Sequence, residues 1–298
     1  MSQKNYLAQI KPVVIDAKRG SGRTLVTKAE PDEITQFRSV VSAISWLSQT
    51  YPPAGTASSL YQSRLPEPTI GDLRQLNTLL AQLQEAYRPM IIRGDIDYRD
   101  CLIVALGDAS LGNASKHSQI GYIVASTKRV KEKLEFPWSI MSYKSQKSKR
   151  VATSTLHSEL LAESAAIEEA VNIQTFMYEL HHPHLSAHEL VKIEASKLCP
   201  IWGITDCNDL HDTLVRSTQP VLTNKSMTLF VEALREYRAE GKVHEYCWCD
   251  TRDNISNVLT KLKADGCLEV EGVTETLETA VWKPKHLFKV GKTLFFTS

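Results

Sequence analysis

Neither charge sign dominates this chain of 298 residues: 35 Lys+Arg stand against 34 Asp+Glu, for a net charge of +1. There is thus no global attraction to polyanions, and any nucleic-acid surface must come from local clustering. Long apolar runs are also missing. No stretch approaches the roughly twenty residues of a membrane-spanning helix, and the opening MSQKNYLAQIKPVVIDAKRG lacks the apolar core of a signal peptide. These absences predict an intracellular protein, cytoplasmic or nuclear, neither secreted nor bound to a membrane. Cysteine is scarce: six, irregularly spaced and without a CxxC pair, provide neither a disulfide framework nor the nucleus of a zinc site, which fits a reducing compartment. What is present, 42% hydrophobic and 23% charged residues, is the balance of a globular protein of one large domain or two ordinary ones.

The N-terminal part reads as helical. Residues 31–50 open on Pro and acidic residues and then space Phe37, Val40, Val41, Ile44 and Leu47 along one face. A Pro/Gly/Ser stretch, Tyr51–Ser59, reads as a connection, and Pro68–Tyr87 carries a second helical stripe through Leu73, Leu76, Leu79, Leu80 and Leu83. The short charged segment RGDIDYRD, Arg93–Asp100, marks a boundary. Beyond it the pattern changes. CLIVALGD, QIGYIVAS and PWSIMSYK are three β-rich runs in a meander, followed by a helix from about Thr155 to Leu180. A His-rich connection then leads to a strand at Ile201–Asp206, a short helix, a helix at Ser226–Glu240, a strand at His244–Cys249 and a helix near Asn254–Lys263. The order β-β-β-α-β-α-α-β-α predicts an α/β fold, a mixed five-stranded sheet flanked by helices.

Three acids stand out. The first strand runs through six apolar residues and a glycine and ends in Asp108, and the fourth repeats the device at Asp206. Burying a strand that ends in a carboxylate is costly unless a cation meets it. Glu159 lies one turn into the long helix on the stripe of Leu156 and Glu163, which turns it toward the sheet. A lone strand-terminal Asp usually caps a turn. Two strand-end aspartates and a helix-borne glutamate converging on one sheet edge instead make a set of oxygen ligands for magnesium, and two such ions about 4 Å apart serve phosphodiester displacement.

At these residues the chain resembles the C-terminal part of a copia-type retrotransposon polyprotein, where the reverse transcriptase ends and the ribonuclease H domain follows. The resemblance runs through Phe37–Val41 with Ser45-Trp46-Leu47, Glu67-Pro68-Thr69, Gly107-Asp108-Ala109-Ser110, Ser118–Tyr122, Trp138-Ser139 with Ser145-Gln146-Lys147, Val151–Glu159, Thr205-Asp206-Cys207 and Val258-Leu259-Thr260-Lys261. It implies a ribonuclease H-like fold preceded by a small helical region like a thumb or connection. The expected division is 1–97, thumb/connection-like; 98–265, ribonuclease H-like; and 266–298, a C-terminal extension. It further implies an endonuclease that hydrolyses the RNA strand of RNA/DNA hybrids, with Asp108, Glu159 and Asp206 holding two magnesium ions for which manganese can substitute. The family's fourth acid falls on Asn257, a neutral amide that holds a second ion more weakly; Asp253, one helical turn earlier, and Asp250 are the candidate replacements. No Tyr-x-Asp-Asp element occurs, so this chain has no polymerase core. Asn257, the missing polymerase and the opening Met1 motivate an alternative of another class: a catalytically weakened or inactive domesticated module that serves as a nucleic-acid- or protein-binding subunit of a larger complex, such as a ribonucleoprotein assembly.

Between Thr127 and Arg150 eight cations face two acids, the strongest charge asymmetry in the chain. Within it Lys144, Lys147, Lys149 and Arg150 are the expected track for a nucleic-acid backbone. His181, His182, His184 and His188 crowd one loop without the Cys or acid that would complete a zinc site. Cys247 and Cys249 read as small buried hydrophobes. In the tail, Leu287, Phe288, Val290, Leu294, Phe295 and Phe296 predict one or two extra strands capping a sheet edge.

Overall fold

The computed structural model describes residues 3–15, 22–111, 118–128, 135–190, 192–194, 198–216, 224–263, 265–268, 273–289 and 292–293. Cys101–Ser110 (β1), Gln119–Lys128 (β2) and Phe136–Lys147 (β3) form the expected antiparallel meander, with Asp108 opposite Gly121. Ile201–Thr205 (β4) joins β1 in parallel, and Glu245–Cys249 (β5) joins β4 in parallel. The central order is therefore β3-β2-β1-β4-β5, with β2 alone antiparallel to the rest, which is the ribonuclease H-like arrangement. Three short strands widen this sheet to eight: Val281–Trp282 (β6) on β3, Leu287–Lys289 (β7) on β5 and Lys292–Thr293 (β8) on β7. The tail thus guards both edges of the five-stranded centre, Leu287 and Phe288 entering β7 as expected. Val290 and Leu294–Phe296 lie outside the described residues.

Every residue of β1 is buried, because helices cover both faces of the sheet. Cys101, Ile103 and Ala105 enter a core with Thr155–His181 (α5), Asn208–Val215 (α7) and Lys225–Ala239 (α8). A four-residue helix, Ala187–Leu190 (α6), lies in the His-rich connection. Leu102, Val104 and Leu106 enter the opposite core, built by Lys4–Gln9 (α1), Pro31–Leu47 (α2), Pro53–Gln62 (α3), Ile70–Ala86 (α4) and Val273–Thr279 (α9). Helix α5 lies very close to the sheet, and two glycines make this possible. A Cβ at Gly107 would stand 2.8 Å from the Glu163 nitrogen, and one at Gly203 would stand 2.6 Å from Glu163 Oε1. Ala162, Ala166 and Ala170 present the matching small surface.

Two elements depart from the sequence expectation. Tyr51–Ser59 is not a connection, for α3 fills most of it. The prolines fall where a first turn tolerates them, and Ala54, Gly55, Ala57 and Ser58 let the helix lie flat on β3. Thr56 donates to the Val258 carbonyl at 2.6 Å, and the Tyr143 hydroxyl donates to the Ser48 carbonyl at 2.8 Å. The helix expected near Asn254–Lys263 is a five-residue 3-10 turn, Ile255–Leu259. Asn254 caps its start, Thr260 bonds back to the Asn257 carbonyl at 3.1 Å, and the chain then leaves to bridge Leu262 with Leu268.

Candidate metal centre

Three elements deliver three acids to one place. Asp108 comes from the end of β1, Asp206 directly follows β4, and Glu159 lies one turn into α5, whose start is capped by Ser154 accepting the His157 N–H at 3.1 Å. Parallel pairing puts the β1 and β4 ends side by side, and the close approach of α5 lowers Glu159 onto them. One carboxylate oxygen from each of Asp108, Glu159 and Asp206 lies within 4.8 Å of the others.

The crowding has an electrostatic signature. Burial raises the Glu159 carboxyl far above the ordinary carboxylate range, and the charges of Asp108 and Asp206 push it further. Burial also raises Asp108; the Lys261 ammonium pulls it back, while Asp206 pushes it up. Glu159 Oε2 is buried without a hydrogen-bond partner among the described residues. Hard oxygen donors, mutual repulsion and an unpartnered buried oxygen are what a divalent cation relieves, so the residues present fit magnesium or manganese.

Sequence reasoning missed the residues that hold this set in place. Asn254, buried, donates to the Gly107 carbonyl at 3.1 Å and to Asp206 Oδ1 at 3.2 Å, tying the ends of β1 and β4 together. The Thr260 hydroxyl donates to Asp108 Oδ2, and Lys261 Nζ stands 3.4 Å from Asp108 Oδ1. Both belong to the Leu-Thr-Lys run that carried part of the resemblance, which was the available signal. Glu163 is a further acid beside this set, buried like Asp108 and Glu159 and one turn beyond Glu159. Neither of its oxygens has a hydrogen-bond partner among the described residues, and burial holds its carboxyl well above the ordinary range, although the nearby Gly107 backbone opposes the shift.

Asn257 is not one of the three converging groups. Its side-chain nitrogen donates to the Thr251 and Asn254 carbonyls at 2.7 and 3.0 Å, and its Oδ1 accepts from Lys261 Nζ at 2.5 Å. The candidate replacements are engaged elsewhere. Asp250 pairs with Arg252 at 2.9 Å, and Asp253 accepts the backbone N–H groups of Lys285 and His286 at 2.8 and 3.0 Å.

All four expected nucleic-acid contacts are exposed. Lys144 and Lys147 stand in the wall of a cleft of about 600 Å³ between α2, α3 and β3, which is otherwise lined mainly by serines and glutamines. Lys149 follows the strand, and the Arg150 guanidinium lies 4.6 Å over the Phe230 ring on α8. The other cations of that asymmetry at 129, 131 and 133 lie outside the described residues. The histidines at the end of α5 stack, His181 on Tyr98 and His182 on Tyr178, and sit against the last carbonyls of the helix. Cys247 and Cys249 are buried and unbridged.

No protein-family model matches the chain, and no curated protein sequence does. Among solved structures, RNase H1 from the halophilic archaeon Halobacterium salinarum aligns at 12% identity over 53% of this chain and 94% of that one, with a TM-score of 0.34. The N-terminal RNase H domain of a Mycobacterium tuberculosis protein aligns at 10% identity over 53% and 90%, TM-score 0.33. LC11-RNase H1, isolated from compost, aligns at 13% identity over 54% and 92%, TM-score 0.34. Scores at this level carry no chemistry across to this chain, which has to be read from its own carboxylates. By strand order, strand direction and helix placement, the chain has a ribonuclease H-like fold.

Proposed function

We propose that the chain is a metal-dependent endonuclease that hydrolyses the RNA strand of an RNA/DNA hybrid, descended from the ribonuclease H region of a copia-type retroelement. The observation that carries this reading is the convergence of Asp108, Glu159 and Asp206 within 4.8 Å. Residues 1–97 are then a thumb/connection-like helical region, 98–265 the ribonuclease H-like domain and 266–298 an extension. The setting is intracellular, with nucleic acid as partner and the remainder of a polyprotein or a larger ribonucleoprotein assembly as a second one.

A divalent ion held here would neutralise charge on the phosphate and make water a competent nucleophile near neutral pH. The resemblance implies two ions, and the three converging carboxylates account for one. Thr260 and Lys261 fix the rotation of Asp108, while Asn254 fixes the strand ends, so the oxygens are positioned before substrate arrives. In-line attack on the phosphorus then leaves a 3′-hydroxyl and a 5′-phosphate. Choice of the RNA strand would rest on contacts to its 2′-hydroxyls. Lys144, Lys147, Lys149 and Arg150 are the cations nearest in sequence to α5 and serve the phosphate backbone in this reading.

The test is incubation of a labelled hybrid with magnesium or manganese. Cleavage that Asp108→Asn abolishes is expected; equal cleavage by that variant, or none by wild type, sinks the proposal. Asn257, neutral and held by Lys261, favours one other outcome: a protein that binds hybrid without cutting it, the catalytically weakened or inactive module of a larger complex.

A further inference from the structure

The centre has two sides, and they are unlike. On one, oxygens of Asp108, Glu159 and Asp206 face each other, and Glu159 Oε2 is buried with no partner among the described residues. On the other, Asp108 Oδ1 faces Lys261 Nζ at 3.4 Å, and that nitrogen is itself held at 2.5 Å by Asn257 Oδ1. Asp108 is 1% exposed and the Lys261 side chain 34%, so the ammonium reaches in from the surface and ends against a buried carboxylate. Thr260 takes the other Asp108 oxygen.

We propose that the Lys261 ammonium, seated between Asp108 and Asn257, stands where a second divalent ion would stand, so that the centre takes one divalent ion and one resident side-chain cation. The inference rests on the reading of the three carboxylates as a metal centre. A second dication on this side would need the Asp108 oxygen that Lys261 holds and an anionic ligand opposite it. Asn257 supplies only a neutral carbonyl, already used by the ammonium, and Asp250 and Asp253 are committed to Arg252 and to the Lys285 and His286 backbone. A second ion would also meet the lysine charge at contact distance in a poorly hydrated site, where like charges repel strongly. The neutral residue at 257 therefore completes the arrangement: with Lys261 it leaves an ammonium–carboxylate pair, whereas an aspartate there would leave a net negative charge that attracts a metal.

The experiment is manganese binding to the whole protein without nucleic acid, counted by calorimetry and by the loss of the free-ion electron paramagnetic resonance signal. Wild type is expected to bind one equivalent. Lys261→Arg, which keeps the charge, should also bind one, and the double variant Lys261→Met with Asn257→Asp should gain a second. Two equivalents on wild type overturn this inference but leave the metal centre standing; none overturns both. A folded double variant that still binds one also overturns it, because Lys261 and Asn257 would then not be what limits the site. Should the double variant fail to fold by circular dichroism, Lys261→Gln alone decides. Removing the charge should tighten the single manganese site about tenfold, and an unchanged affinity overturns the inference.

Discussion

Glu163 is the most exacting test of how this site is built. Its carboxyl is fully enclosed beneath α5, packed against Gly203 and Tyr246, with no hydrogen-bond partner among the described residues for either oxygen. Burial is the main cause holding it protonated, and Asp206 adds to it. In the unfolded chain the same group titrates at about 4.3. Below that pH both states carry the proton and folding loses nothing. Above it the unfolded chain ionises while the folded carboxyl stays neutral, so stability falls as pH rises, by about 1.36 kcal/mol per unit, until the folded group ionises as well. Glu163→Gln keeps shape and removes this dependence. Between pH 5.5 and 7.5 the variant should therefore gain on wild type as pH rises, at a slope of no more than about 1.36 kcal/mol per unit. The amide's own unmet hydrogen bonds add an offset that does not vary with pH. Urea midpoints from tryptophan fluorescence, measured with chelator present so that metal does not intervene, give the difference directly. Parallel curves, with a gap constant to within about 0.5 kcal/mol, would refute the picture of a neutral buried acid.

Gly121→Ala should cost about 1–3 kcal/mol, because the new Cβ would lie 2.5 Å from Leu259 Cβ and 3.0 Å from Thr260 Cγ2. By pushing Thr260 off Asp108 it should also weaken manganese binding, which calorimetry reads; unchanged binding would mean that Thr260 does not position the acid. Thr56→Val leaves the buried Val258 carbonyl without its 2.6 Å donor and should lower stability by about 1–3 kcal/mol in urea unfolding; no loss would mean that α3 does not anchor the 3-10 turn. Reversing Lys144, Lys147, Lys149 and Arg150 to Glu should weaken hybrid binding and flatten its salt dependence by roughly 0.7–0.9 per lost phosphate contact, with manganese binding retained. An unchanged slope would make that segment an ordinary solvated edge. Asp206→Asn should do the opposite, losing metal while keeping the slope.

Strand and helix order was legible because burial on both faces writes continuous apolar runs, as in CLIVALGD, and burial on one face writes helical stripes, as in Leu73–Leu83. The two strand-end aspartates were legible for a related reason, since a carboxylate ending an apolar strand breaks the pattern, and Glu159 was legible from its place on the apolar stripe of the helix. Helix α3 was not: Pro52, Pro53 and Gly55 have poor local helix propensity, and the helix forms because small residues fit against β3 and the Val258 carbonyl accepts a hydrogen bond from the Thr56 hydroxyl. Glu163 was visible as a helix-face residue, but its confinement depends on two glycines, 107 and 203, that only pairing of β1 with β4 sets beneath it. Asn254, Thr260 and Lys261 share this logic. Composition and periodicity determined most of the strands and helices and the two aspartates that end strands. What surrounds each acid is set by contacts between residues as much as 153 positions apart, and such distances are fixed only when sheet register and helix packing are.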